Sequence, residues 1–208
     1  KSVICLNGNP FSEWNGKLEC LSPNFIYADD VLFNKDKSEI VSFRNQNIES
    51  YIIPDSVISI GDGAFYSCSS LSNIVIPDSV TDIGNSAFSF CRSLTNIVIP
   101  NSVTAIGDSA FSDCRSLTNI VIPDSVTAIG NFAFWGCSSL SNIVIPDSVT
   151  AIGDFAFSDC SSLSNIVIPD SVTAIGYGAF WGCSLSYDFK QELISRFGKK
   201  IFNNLWYL

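Results

Sequence analysis

Eight cysteines, twenty carboxylates and no histidine set the chemistry open to this 208-residue chain. Without an imidazole, neither a Ser-His nor a Cys-His nucleophile can be assembled. Lysine or carboxylate chemistry remains open. The acids, however, fall at one repeated turn position, at Asp55, Asp78, Asp124, Asp147 and Asp170, and not in the converging pair that general acid–base work needs. The residues therefore point away from an enzyme. Stacked in a row, these aspartates would lie about one strand spacing apart, which costs energy unless water or a cation intervenes, and Asn101 interrupts the row. Calcium suits carboxylate oxygens, but there is no EF-hand and no glycine-rich calcium-binding nonapeptide. Ordinary turn chemistry is expected, with no metal and no cofactor.

Six of the thiols, Cys68, Cys91, Cys114, Cys137, Cys160 and Cys183, recur at steps of 23 residues with no C-x-x-C spacing, which argues against zinc. Neighbours along a stack would be about 5 Å apart, but parallel Cβ directions do not favour a bridge. They are read as buried free thiols acting as small hydrophobes. Cys5 and Cys20 stand outside this period and are expected to pair, as in an exported protein.

A formal charge of −9 argues against a nucleic-acid partner, which needs clustered Lys and Arg. Between Ile48 and Ser184 the only basic residues are Arg92 and Arg115. Asp, Ser, Asn or Gly interrupts every hydrophobic run, so no membrane span is expected. Lys1 to Cys5 contain neither an initiator Met nor a long apolar region, and a mature or trimmed chain is expected.

The elements that position these residues follow from the period. Pro54 to Pro169, Gly61 to Gly176 and Phe65 to Phe180 each recur six times at the same 23-residue step as the cysteines. In the third unit, Leu94 to Ser116, Leu94, Ile97 and Ile99 alternate with Asn96 and Val98, the pattern of a short strand. Pro100-Asn101-Ser102 then makes a turn, Val103 and Ile106 a second apolar step, and Gly107 a bend. Ala110 and Phe111 are expected to re-enter the core from a short helical turn before Cys114 closes the coil. One unit alone leaves its inward side chains uncovered, so stability must be shared by stacking and both open ends need covers.

Val31–Phe33 and Ile40–Phe43 flank Asn34-Lys35-Asp36-Lys37 as a hairpin cover. At the other end, Asp188 with Gln191 reads as a capping-box-like helix start, and Phe189, Leu193, Ile194 and Phe197 form an apolar face before Gly198 stops the helix. The predicted organisation is an N-terminal cap with a hairpin over residues 1–47, a six-repeat solenoid over 48–184, and a C-terminal helical cap over 185–208.

The units Ile-Pro-Asp-Ser-Val-Thr-Ala-Ile-Gly-Asp-x-Ala-Phe-x-x-Cys resemble the BspA-like, or treponemal-type, leucine-rich repeats of bacterial surface proteins. The segment Asp30 to Lys37 is similar to a hairpin insert of that family, with Asp30 where glycine is more usual. The resemblance implies a curved, right-handed, β-rich solenoid, often exported, with members described as adhesins, and it implies no enzyme. A secreted or cell-surface location and an extracellular protein or glycan partner are the corresponding expectations.

Two surfaces are candidates for binding. Outward strand positions give an asparagine row that includes Asn96, Asn119 and Asn142, beside a valine row that includes Val98, Val121 and Val144. This is either an apolar contact strip or simply residues that suit strands. The second surface is where the repeats differ, after Ile-Gly and after Ala-Phe. It carries Phe132, Trp135 and Phe155, with Phe132 and Trp135 close enough to touch on a helical turn. These aromatics either make contacts or seal the back of the coil. A non-catalytic binding module is the leading reading, with a structural spacer presenting another domain as the alternative.

Overall fold

The computed structural model describes residues 20–203 as a solenoid whose coils stack on one another through three kinds of hydrogen-bonded contact, one of which is interrupted midway. The chain opens with β1 (Phe25–Ala28), β2 (Val31–Asn34) and β3 (Glu39–Phe43), which pair antiparallel in sequence order. Six three-residue strands follow on one side: β4 (Ser50–Ile52), β6 (Asn73–Val75), β8 (Asn96–Val98), β10 (Asn119–Val121), β12 (Asn142–Val144) and β14 (Asn165–Val167). Each is succeeded by a two-residue strand: β5 (Ser59–Ile60), β7 (Asp82–Ile83), β9 (Ala105–Ile106), β11 (Ala128–Ile129), β13 (Ala151–Ile152) and β15 (Ala174–Ile175). The two-residue strands join the hairpin in one nine-stranded sheet, parallel from β3 onward. The three-residue strands form a four-stranded sheet, β4 to β10, and a separate pair, β12 with β14.

Alternation fixes the strand orientation. Ile97 and Ile120 are in register and buried, while the residues on either side of each face outward. After the strand, the Val103 N–H donates to the Pro100 carbonyl at 3.1 Å, closing the expected turn. The glycine of each coil is fixed by its neighbour. A Cβ on Gly130 would lie 2.7 Å from the carbonyl carbon of Gly107, so any side chain there would push the coils apart.

The third contact corrects the expected helical turn around Ala110 and Phe111. The N–H groups of Ser109, Phe111 and Asp113 cross to the carbonyls of Asn131, Ala133 and Trp135 at 2.7, 2.8 and 2.6 Å. Those of Ala110, Ser112 and Cys114 fold back three residues, to Gly107, Ser109 and Phe111. A helix would direct every N–H within its own coil and leave nothing for the neighbour. Consecutive turns instead free every second donor for stacking. They require two left-handed residues per coil, here Ser109 (φ 56) and Asp113 (φ 58).

The core is a column of rings. Phe43, Phe65, Phe88, Phe111, Phe134, Phe157 and Phe180 stack with centroids 5.1–5.5 Å apart. Beside it, the Cys91 thiol donates to the Phe65 carbonyl at 3.1 Å, and Cys114, Cys137, Cys160 and Cys183 repeat the contact. That carbonyl also accepts the Cys68 N–H, so the thiol satisfies its second lone pair. Burial pushes the thiols of Cys68, Cys137 and Cys183 up to about 12, which keeps them protonated and unreactive.

Both covers differ in detail from the sequence reading. β1 lies ahead of the 23-residue period and adds a strand to the expected hairpin. It meets β2 through Asp29 and Asp30 at φ 50 and 63, a two-residue turn in which Asp30 adopts the conformation glycine usually provides. The helix α1 (Tyr187–Phe197) begins one residue before Asp188, and its N-cap is Ser186, whose hydroxyl accepts the Phe189 N–H at 3.3 Å. Gly198, at φ 82, stops it as expected. Arg196 of α1 donates to the carbonyls of Ile168 and Pro169. A 3₁₀ turn, Lys199–Phe202, completes the end: the carbonyls of Lys200 and Ile201 accept the N–H groups of Gly178 and Phe180 at 2.9 Å each, where a further coil would otherwise sit.

Candidate functional site

The three-residue strands present the first surface. Asn96, Asn119 and Asn142 are exposed, and so are Val98, Val121 and Val144, with Val98 at 70%. Parallel register aligns Asn96 with Asn119 and Val98 with Val121. The row extends further than the motif indicated: Ile52 continues it past Val75, so six β-branched residues from Ile52 to Val167 face outward. Ile52 escaped the repeat pattern because its coil begins Ser-Tyr-Ile, not Asn-Ile-Val. The Asn96 and Asn142 amides donate to hydroxyls of their own coil, Thr95 and Ser141, at 3.4 and 3.3 Å.

The second surface lies on the consecutive turns. Phe132 and Phe155 both occupy left-handed positions, at φ 55 and 53, and their rings stack at 5.0 Å. Phe132 is 40% exposed, but Phe155 is only 8% exposed, covered by Phe132 on one side and Tyr177, at 5.7 Å, on the other. The Phe132 ring therefore stacks on the next coil, while its carbonyl accepts the Trp135 backbone N–H at 3.0 Å. The Trp135 indole turns instead to Asp159, whose carboxyl is raised above its ordinary range by burial and partly lowered again by that hydrogen bond. Cys20 places its sulfur 3.4 Å from the Phe25 carbonyl, and its expected partner Cys5 lies outside the described residues.

One ladder was missed. The repeats differ at the first residue after Ile-Gly, yet Asp62, Asn85, Asp108, Asn131 and Asp154 each accept the N–H of the equivalent residue one coil on, at 2.6–2.8 Å. Aspartate and asparagine alternate along it, so charges are separated by two coils and not one. That alternation is present in the sequence at 23-residue steps and was its signal. Among the described residues, no group of three or more His, Cys, Asp or Glu is arranged to hold a metal ion, and no helix is long and apolar enough to cross a membrane.

The BspA-type leucine-rich repeat model matches residues 39–137 and 81–208, with six copies. The crystal structure of a leucine-rich repeat protein of T. pallidum matches with a TM-score of 0.71 and 28% identity, over 86% of this chain and 95% of that one. A leucine-rich repeat protein from Bacteroides ovatus matches with a TM-score of 0.58 and 30% identity, over 81% of this chain and 52% of that one, so this chain spans about half of its length. A leucine-rich cell-surface protein from Faecalibacterium prausnitzii matches at 26% identity with a TM-score of 0.50, over 79% of this chain and 76% of that one. No curated protein matches the sequence. The repeated Ile-Pro, Ile-Gly and Ala-Phe-x-x-Cys elements, the three stacked contacts and the matched model together place the chain in the BspA-type leucine-rich repeat family.

Proposed function

We propose that this chain is a non-catalytic binding module of a secreted or cell-surface bacterial protein and that it holds an extended protein segment on its strand face. The observation that carries this reading is the row of six outward β-branched side chains, Ile52 to Val167, bordered by amides. Outward positions on strands this short do not require apolar residues, since Thr suits a strand equally well, and a continuous exposed apolar row is the usual mark of a contact surface. Amides beside it both donate and accept, which matches the backbone of an extended peptide. The relative from F. prausnitzii, described as a cell-surface protein, supports the location.

The test is capture from extracellular-matrix extracts by the immobilised chain. Changing Val121 and Val144 together to Ser is expected to weaken capture while leaving Tm nearly unchanged, since both side chains already face water. If capture survives this pair but is lost in Trp135→Ala, the aromatic rim is the site and the strand face is scaffold. The same positions predict the opposite pattern for Ile120→Ser, whose buried side chain would cost several kcal/mol of stability.

A further inference from the structure

Near-identical coils make any departure conspicuous, and one departure is chemical. The residue after the repeated cysteine is serine in Ser69, Ser138, Ser161 and Ser184 but arginine in two adjacent coils, Arg92 and Arg115. These are the only cations between Ile48 and Ser184 in a chain of net charge −9. Both converge on Asp113, whose side chain is only 3% exposed: Arg92 Nε donates to one carboxylate oxygen at 3.0 Å and Arg115 Nε to the other at 2.8 Å.

Asp159 occupies the same place two coils on, with serines at the arginine positions, and there the Trp135 indole is the donor and the carboxyl stays raised by burial. Two guanidinium groups face the single carboxylate of Asp113, so the three groups together carry one net positive charge. With both Nε atoms committed inward, the Nη donors of the two half-exposed side chains lie on the solvent side. Arg92 also lies over the Phe90 ring at 5.5 Å, and Phe90 meets Tyr66 edge-on at 5.4 Å, which leaves a partly exposed aromatic pair beside the charge.

We propose that Arg92 and Arg115 bind the carboxylate of an acidic sugar, with the Tyr66–Phe90 pair against the sugar ring. Guanidinium forks match a planar carboxylate. A single positive charge in an acidic surface favours one anionic group over a polyanion, and the partly exposed aromatic rings beside it offer π surface to the C–H groups on the apolar face of a pyranose. This site lies on the turns and does not depend on the strand-face reading.

The experiment is a titration by NMR and calorimetry with sodium glucuronate, with glucose and N-acetylglycine as the neutral sugar and the sugar-free carboxylate. Glucuronate is expected to bind with a Kd on the order of millimolar, about tenfold tighter than either control. Arg115→Ser is expected to lose this binding while Tm stays within a few degrees, because Arg92 still faces Asp113. Arg115→Lys, which keeps the charge but not the fork, should retain the fold and weaken binding several-fold. No glucuronate binding, equal binding of glucose, or unchanged binding in either variant would overturn the site. Equal binding of N-acetylglycine would overturn the sugar assignment.

Discussion

At the scale of single residues, the left-handed positions explain why side chains of very different type occupy equivalent places. Phe90, Asp113, Gly136, Asp159 and Gly182 share one such position, where the backbone is set by inter-coil hydrogen bonds and the side chain is free to vary. Asp159 bears the cost of that freedom, since burial raises its carboxyl. A folded pKa above the unfolded value means the native state binds the proton more tightly. That contribution is complete below the unfolded pKa and is lost as pH rises through the folded one. Asp159→Asn removes the titration, retains an acceptor for Trp135 and tolerates the left-handed backbone. A slightly higher Tm at neutral pH, and a flatter Tm profile between pH 3 and 6, is the expected result. An unchanged profile in thermal melts would show that Asp159 titrates alike in both states.

At the scale of elements, the ladders divide into those legible in sequence and those not. Phe111 and Cys114 announce themselves because burial demands the same residue in every coil, and Ile97 because it recurs in every coil but the first, where Tyr51 stands. The consecutive turns were misread as helical because an Ala-Phe step every coil is compatible with either, and only the donors crossing to the next coil distinguish them. β1 was missed because Phe25-Ile-Tyr-Ala lies outside the period and pairs locally across Asp29 and Asp30, a turn whose signal is usually glycine. The Ser186 cap was overlooked for the more conspicuous Asp188. For the acceptor row Asp62 to Asp154, alternation of charge is the testable element. Asn131→Asp places a carboxylate one coil from both Asp108 and Asp154, so Tm should fall at low salt and recover as ionic strength or acidity rises. A loss insensitive to both would instead indicate that the amide nitrogen of Asn131, 3.5 Å from the Asp108 carboxylate, mattered more than charge.

At the scale of the whole molecule, the proposed binding features are products of stacking: neither the valine row nor the paired arginines exists within a single coil. Stability in such an array is the sum of coil and interface contributions, so loss of an interior unit should shorten the molecule without dissolving it. Deleting residues 116–138 is expected to give a folded, cooperatively melting chain with unchanged ellipticity per residue and a Tm lower by several degrees. An aggregated or non-cooperative product would show that the coils are not equivalent. The 3₁₀ turn at Lys199–Phe202 gives this equivalence a further meaning, because its carbonyls accept the same Gly178 and Phe180 donors that any coil offers its successor. The terminal cover is thus indifferent to how many coils precede it. Unequal recombination between the near-identical coding units would add or remove 23 codons in frame and still deliver a closed protein, so lineages carrying this gene should differ in its length by whole multiples of that step.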